Sequence, residues 1–148
     1  MTSTNSELTG TDDESERLPG SVELGLPARA ELIFLARMTA VAVASRADFG
    51  YDQIEDLRLA LDELCLTLLE GAREGSRLQL RLGWSGDAIE VTATLEGNEP
   101  PLQGHAGMLE PNELSERILD SLVDEHGFDR RDGCPAGWLR MSSPKANH

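Results

Sequence analysis

The 148-residue sequence predicts an α+β fold, a two-layer sandwich in which a mixed or antiparallel sheet is covered on one face by three helices. Two observations predict this class. Strand-like runs follow one another across short turns, which is typical of antiparallel hairpins, and the helical segments carry their apolar residues along one side. Helices followed by adjacent hairpins favour α+β over a parallel α/β sheet. A chain of this length is expected to form one core.

The first three elements are a strand and two helices. Residues 21–26 alternate apolar and polar side chains, which predicts a strand with one apolar face. Apolar side chains at three- and four-residue steps predict helices over 30–46 and 52–72. Asp52 and Glu55 form a variant of the capping box, so we expect Asp52 to cap the second helix.

The second half predicts two hairpins with one helix between them. Gly86 marks the turn between strands at 78–84 and 88–94, and Gly133 marks the turn between strands at 128–131 and 137–142. Residues 96–110 form a long loop of the kind that often serves as a lid or binding loop. The remaining helix is predicted over 112–125.

Composition bounds the domain and excludes some partners. The domain is expected at 20–143, between a disordered acidic tail at 1–19 and a short C-terminal tail at 144–148. The formal net charge of −14 would repel the phosphates of nucleic acid, so a nucleic-acid partner is excluded and a basic protein is favoured. No apolar run is long enough for a membrane span and no signal peptide begins the sequence, so we expect a cytoplasmic protein.

The segment Asp56-Leu-Arg-Leu-Ala-Leu-Asp-Glu63-Leu-Cys-Leu-Thr67 resembles the helix that opens the nucleotide site in anti-sigma-factor serine kinases of the RsbW and SpoIIAB type. These proteins belong to the superfamily of Hsp90 and histidine-kinase ATPases. The similarity covers about residues 21–142 and is closest to the anti-sigma factors that actinobacteria use against their stress sigma factor. Three further segments support it: Leu24-Gly-Leu-Pro27-Ala, Glu90-Val-Thr-Ala-Thr, and Leu122-Val-Asp-Glu125 leading into Phe128-Asp-Arg-Arg.

The resemblance implies a site for ATP and Mg²⁺ that this sequence retains only in part. Glu63 stands where the family has its catalytic glutamate, whereas Thr67 replaces the asparagine that ligates the metal. The family's Asp-x-Gly-x-Gly motif is here Leu95-Glu-Gly-Asn-Glu99, so only Gly97 survives. Glu96, the other residue assigned to the vestigial site, is one residue off the aspartate position and would point to the other face of the strand. Read without the resemblance, Glu63 is an exposed helix carboxylate, and residues 95–99 are an ordinary strand end and turn.

The phosphate-binding glycines of the family also have no counterpart. Their position at the start of the last helix holds Glu113-Leu-Ser115-Glu116, whose carboxylates would repel a phosphate and compete for the same amides. We therefore expect no cofactor, with ATP and Mg²⁺ bound only if the vestigial site still works, and no other metal.

The resemblance implies an anti-sigma factor that sequesters a stress-type sigma factor and is released by an anti-anti-sigma antagonist of the STAS type. It also implies a homodimer with the first helix near the partner-binding surface. The candidate contacts are Arg29, Glu31, Phe34, Arg37 and Met38. The alternative for these residues is an ordinary solvated helix face, and the alternative for the protein is an active serine kinase that phosphorylates its antagonist.

A third class, metal or redox sensing, would use Cys65, Cys134, His105 and His126. Their spacing matches no zinc pattern. Cys65 lies on the predicted apolar face of the second helix, where an inert thiol is expected, whereas Cys134 follows a turn and could be oxidised.

Overall fold

A computed structural model describes residues 19–97 and 113–143. The strands in these residues are β1 (Gly20–Pro27), β2 (Arg77–Ser85), β3 (Ala88–Glu96), β4 (Glu125–Arg131) and β5 (Cys134–Ser142). The α-helices are α1 (Ile33–Arg46), α2 (Tyr51–Leu69) and α3 (Glu113–Leu122), and a 3-10 turn (Ala30–Leu32) leads into α1. The predicted tails, apart from Pro19, and the predicted loop beyond Gly97 lie outside the described residues.

The five strands form one sheet in the order β1-β2-β3-β5-β4, and every neighbouring pair is antiparallel. The α+β prediction is confirmed, and of its two sheet types the antiparallel one is present. Both predicted hairpin turns are two residues long. Gly86 has φ 61°, and Asp132 and Gly133 have φ 54° and 81°, the left-handed values that such tight turns require.

Alternation along the strands puts the core on one face of the sheet. Leu78, Leu80 and Leu82 of β2 alternate with polar residues, and in register across from them stand Leu95, Ala93 and Val91 of β3. All three helices cover this face, with α1 against β2, α2 against β3 and β5, and α3 against β4. The helix α2 is therefore the central one of the three and contacts both α1 and α3.

Both ends of α2 differ from the sequence prediction, and local hydrogen bonds accompany each difference. Asp52 does not cap α2. The N-cap is Gly50, two residues earlier in the sequence, and the helix begins at Tyr51. The Gly50 N–H donates to Gln53 Oε1 at 3.4 Å, and Asp52 lies exposed in the first turn. At its other end α2 stops at Leu69 instead of residue 72, and the chain continues in a turn in which the Ala72 N–H donates to Leu69 O at 3.0 Å.

Further differences are found at the end of α3 and at the starts of the two strands of the last hairpin. The Asp124 N–H donates to Arg140 O at 3.0 Å, and the Asp124 carboxylate accepts the Ser142 N–H at 2.8 Å. Because these bonds attach Asp124 to β5, the helix α3 ends at Leu122 and β4 begins at Glu125. β5 likewise begins three residues before the predicted 137.

The two tryptophans of the chain lie against glycines at the two edges of the sheet. A Cβ on Gly20 would lie 2.5 Å from Trp84 Cζ2, and a Cβ on Gly127 would lie 2.8 Å from Trp138 Nε1. Strand alternation directs Trp84 to the helix side and Trp138 to the opposite side. In the part of the chain that is described, none of the helices has the length and apolarity needed to cross a membrane.

Candidate functional site

The predicted catalytic glutamate is engaged with the neighbouring helix. Glu63 is half-buried on α2, and its Oε2 accepts a hydrogen bond from Ser115 Oγ in the first turn of α3. Ser115 is buried at 4% exposure. The hydroxyl therefore reaches the carboxylate from the helix end where the resemblance predicts phosphate binding, and the bond connects α2 to α3.

The predicted metal ligand lies in the interior. Thr67 follows Glu63 by four residues, one helical turn further along α2, but is only 3% exposed. It lies among the buried residues of α2 that pack toward the sheet. Glu63 and Thr67 thus differ in access: the first meets α3 at the edge of the core, and the second belongs to the core.

The remnant of the adenine-binding motif ends β3. Leu95 is fully buried and stands opposite Leu78 of β2, Glu96 next to it is exposed, and Gly97 is exposed with φ 79°. A Cβ on Gly97 would lie 3.5 Å from Ser76 Cα, so this glycine serves a turn that passes close to the loop after α2. Leu95 functions as a core side chain here.

The first turn of α3 carries two carboxylates. Glu113 and Glu116 are both exposed, on either side of the buried Ser115. Carboxylates in a first turn are stabilised by the free N–H groups and the positive end of the helix dipole. The carboxylates of Glu113 and Glu116 therefore compensate the positive end of the α3 dipole, which would otherwise attract an anion.

The sequence reasoning named Ser115 only as part of a lost motif and did not connect it to Glu63. No periodicity links residues 52 positions apart. The available signal is chemical: a serine lies between two acids, Glu113 and Glu116, in the first turn of α3. Of the predicted nucleotide-site residues, the structure brings Glu63 to Ser115 and places Thr67 in the core and Glu96 and Gly97 at the surface. Within residues 19–97 and 113–143, no three His, Cys, Asp or Glu side chains converge as metal ligands would.

The predicted partner-binding residues divide into two groups. Arg29 and Glu31 are exposed and form an ion pair with 2.7 Å between Nη2 and Oε2, while Phe34 and Met38 are 44% and 64% exposed. Arg37 is half-buried, with its Nε 2.9 Å from Oδ1 of Asp62 on α2. These two buried atoms have no aligned hydrogen bond to each other and no other partner in the described residues. Four of the five side chains therefore face solvent, and Arg37 joins α1 to α2.

Burial raises the pKa of Asp62 above its ordinary 3.8, although the positive charges of Arg37 and Arg58 act in the opposite direction. Arg58 itself donates to Glu55 on the same helix at 2.8 Å. The contact between α1 and α2 thus contains a charge that is costly to desolvate.

The residues of the sensing hypothesis are not gathered at one place. Cys65 is buried, and this burial, with a smaller effect from the Asp62 charge, raises the pKa of its thiol to about 12. Cys134 is half-buried at the start of β5. His126 Nε2 lies 2.6 Å from Asp120 Oδ1, and His105 is outside the described residues. An inert Cys65 agrees with the sequence prediction.

The comparisons with known proteins agree on one family. The chain matches no family model. It is 34% identical over 143 residues to the serine-protein kinase RsbW of Bacillus subtilis (strain 168), which covers 86% of this chain and 89% of that protein. It is 29% identical over 103 residues to RsbW of Halalkalibacterium halodurans, covering 69% of this chain and 64% of the relative. RsbW of Bacillus cereus (strain B4264) is 32% identical over 78 residues, and this match spans about half of each chain, 51% and 49%.

Proposed function

Because the chain belongs to the RsbW family of serine-protein kinases, we propose that it is an anti-sigma factor that sequesters a stress-type sigma factor by direct protein binding, with phosphoryl transfer weak or lost. A STAS-type anti-anti-sigma protein would compete for the same chain and release the sigma factor. In this proposal the working unit is a homodimer in the cytoplasm, and neither nucleic acid nor a membrane is a partner.

The observation that carries the proposal is the hydrogen bond from Ser115 to Glu63. A general base must be free to accept a proton from its substrate. Here the carboxylate that would do so already accepts a hydrogen bond from the hydroxyl of a buried serine on the neighbouring helix. A hydrogen bond to a charged group contributes about 1.5–3 kcal/mol, and a nucleotide would have to replace it.

Three further features make the described residues a poor fit for ATP and Mg²⁺. Leu95 is fully buried and apolar, so the adenine amino group would lose its acceptor at a cost of about 1–3 kcal/mol. Glu113 and Glu116 stand at the helix end where phosphates would bind, and like charges repel there. Thr67 at 3% exposure is also poorly placed to reach a metal ion. All of these effects weaken nucleotide binding.

An active serine kinase is the second candidate, and two observations favour it. The relatives are serine-protein kinases by name, with 34% identity over most of both chains in one case. Glu63 is present and only half-buried, so a rotation of its side chain away from Ser115 would expose a carboxylate. Under this alternative Glu63 is the base and Thr67 is a metal ligand.

Titration calorimetry with Mg-ATP separates the two candidates. The full chain is expected to give no measurable binding heat, with the Bacillus subtilis RsbW protein as the positive control. Ser115→Ala is the informative variant, because it frees the Glu63 carboxylate while leaving Leu95 and the acids of α3 in place. We expect it to bind no nucleotide either. Tight binding of Mg-ATP by the unchanged chain, together with phosphate transfer to a STAS protein, would establish the kinase instead.

Sequestration itself is tested by affinity capture from the native lysate followed by mass spectrometry. We expect a sigma factor to be retained without added nucleotide and to be eluted by an unphosphorylated STAS protein. Recovery of metabolic enzymes alone would contradict the anti-sigma proposal, whatever the outcome with ATP.

A further inference from the structure

Two exposed leucines lie on the outer side of α2. Most apolar side chains of this helix pack toward the sheet, yet Leu59 and Leu66 are 54% and 44% exposed. They are seven residues apart, which is two helical turns and about 10 Å along the axis, so they lie on the same face. We call these two side chains the α2 leucine stripe.

Carboxylates border the α2 leucine stripe along its length. Asp52 and Glu55 precede Leu59 by nearly two turns and one turn, Asp62 and Glu63 lie between the two leucines, and Glu70 follows Leu66 by one turn. In the described chain Arg58 is the one basic residue of α2, and it is bound to Glu55. The surface around the stripe is therefore negative.

The neighbouring helices hold two of these carboxylates to the sides. Asp62 forms an ion pair with Arg37 of α1, and Glu63 accepts a hydrogen bond from the hydroxyl of Ser115 of α3. The two carboxylates are thus directed away from the line between Leu59 and Leu66, one to each flank. The stripe is left as an apolar line with acids on both sides.

We propose that the α2 leucine stripe is the docking site for a cationic amphipathic helix of the partner. Two leucines at heptad spacing fit the apolar face of a second helix, and the bordering carboxylates fit lysine or arginine at its flanks. This inference rests on the proposed function, in which the partner is a sigma factor, and it adds to the predicted contacts on α1 a surface on the central helix.

The proposal is tested with a synthetic 18-residue helix of leucine and lysine, with leucines at heptad spacing, titrated into the full chain labelled with ¹⁵N. A peptide with the same composition and a scrambled order controls for charge alone. Leu59→Gln/Leu66→Gln removes the stripe without changing charge, and Val22→Gln/Leu114→Gln removes two exposed apolar side chains from β1 and α3 as the matched control. All four side chains are exposed, and a thermal melt verifies that each variant folds.

We expect the ordered peptide to shift amide signals along α2, with the stripe variant weakening binding about tenfold or more and the control variant changing it less than twofold. Equal binding of the scrambled peptide, or a larger loss in the control variant, would overturn the proposal. Capture of a sigma factor then separates the two hypotheses. If the stripe variant retains it as well as the unchanged chain, the docking site is wrong and the anti-sigma function stands. If the unchanged chain retains none, the anti-sigma function fails, and the peptide titration decides the docking site.

Discussion

At the scale of single residues, Leu95 has the clearest consequence. It occupies the position where the family has the aspartate that binds adenine, and it is fully buried opposite Leu78. A side chain in this position contributes to the core by its apolar volume.

Leu95→Asp would restore the family's residue and is expected to destabilise the fold by about 3–5 kcal/mol, because it buries a carboxyl and removes apolar volume. We expect no gain in ATP binding. Chemical denaturation measures the stability, and Glu96→Asp at the exposed neighbouring position serves as control, with a change within about 0.5 kcal/mol. An unchanged stability in Leu95→Asp would show that the site has room for the aspartate.

Cys65 allows a second test at this scale. With a thiol pKa of about 12, it carries almost no thiolate at pH 8 and is shielded by the core. In a Cys134→Ser variant, which leaves Cys65 as the only thiol, iodoacetamide is expected to label nothing until the protein is unfolded in guanidinium. Rapid labelling of the native variant, measured by mass spectrometry, would contradict the buried position.

At the scale of the elements, the contact between α1 and α2 depends on Asp62. Its pKa is raised above 3.8 in the folded state, so the native protein holds this proton more tightly than the unfolded chain. Stability therefore falls as pH rises from 3.8 through the raised value, because ionisation is easier in the unfolded state.

Asp62→Asn removes this titration and keeps the shape of the side chain. We expect the free energy of unfolding of the variant, relative to the wild type, to increase as pH rises from about 3 to 7. Urea titrations at several pH values measure the difference. Glu70→Gln, an exposed carboxylate just beyond α2, controls for removing one negative charge. A relative stability that decreased with pH would mean that attraction to Arg37 and Arg58 outweighs the cost of burial.

The contact between α2 and the sheet depends on Gly137 of β5. A Cβ there would lie 2.8 Å from Leu64 Cδ1 and 2.9 Å from Phe128 Cε1, both of which belong to the packed side of the sheet. Gly137→Ala is expected to destabilise by about 1–3 kcal/mol through overpacking. Gly83→Ala is the matched strand control, because its Cβ would meet Gly20 O at an ordinary 3.5 Å, and thermal unfolding compares the two. Equal effects would show that α2 can move away from the sheet.

The type and order of the strands and helices could be predicted from the sequence, because strand alternation and helical periodicity are local patterns. Every predicted strand and helix is present in the order expected, and the two turns carry the expected glycines. The misplaced boundaries, such as the end of α3, depend on hydrogen bonds from Asp124 to residues of β5 that are distant in sequence. The engagement of Glu63 by Ser115 and of Arg37 by Asp62 also depends on tertiary packing, which no local pattern specifies.

At the scale of the whole molecule, the net charge of −14 affects how fast a partner is found. Under the proposed function the partner is basic, so long-range attraction is expected to speed association. The association rate constant for the sigma factor, measured by stopped flow, is expected to fall on the order of tenfold between 50 and 500 mM NaCl, with a smaller change in the dissociation rate. A rate that does not depend on salt would show that the acidic surface serves only solubility.

The placement of the two tryptophans makes the sheet observable from both edges. Trp84 contacts Gly20 in β1 and Trp138 contacts Gly127 in β4, so each indole monitors a different outer strand. Replacing one with phenylalanine leaves a protein whose intrinsic fluorescence reports on a single edge. The chain therefore carries its own pair of optical probes, one on the helix side beside α1 and one on the opposite side, with which a bound partner can be located without adding a dye.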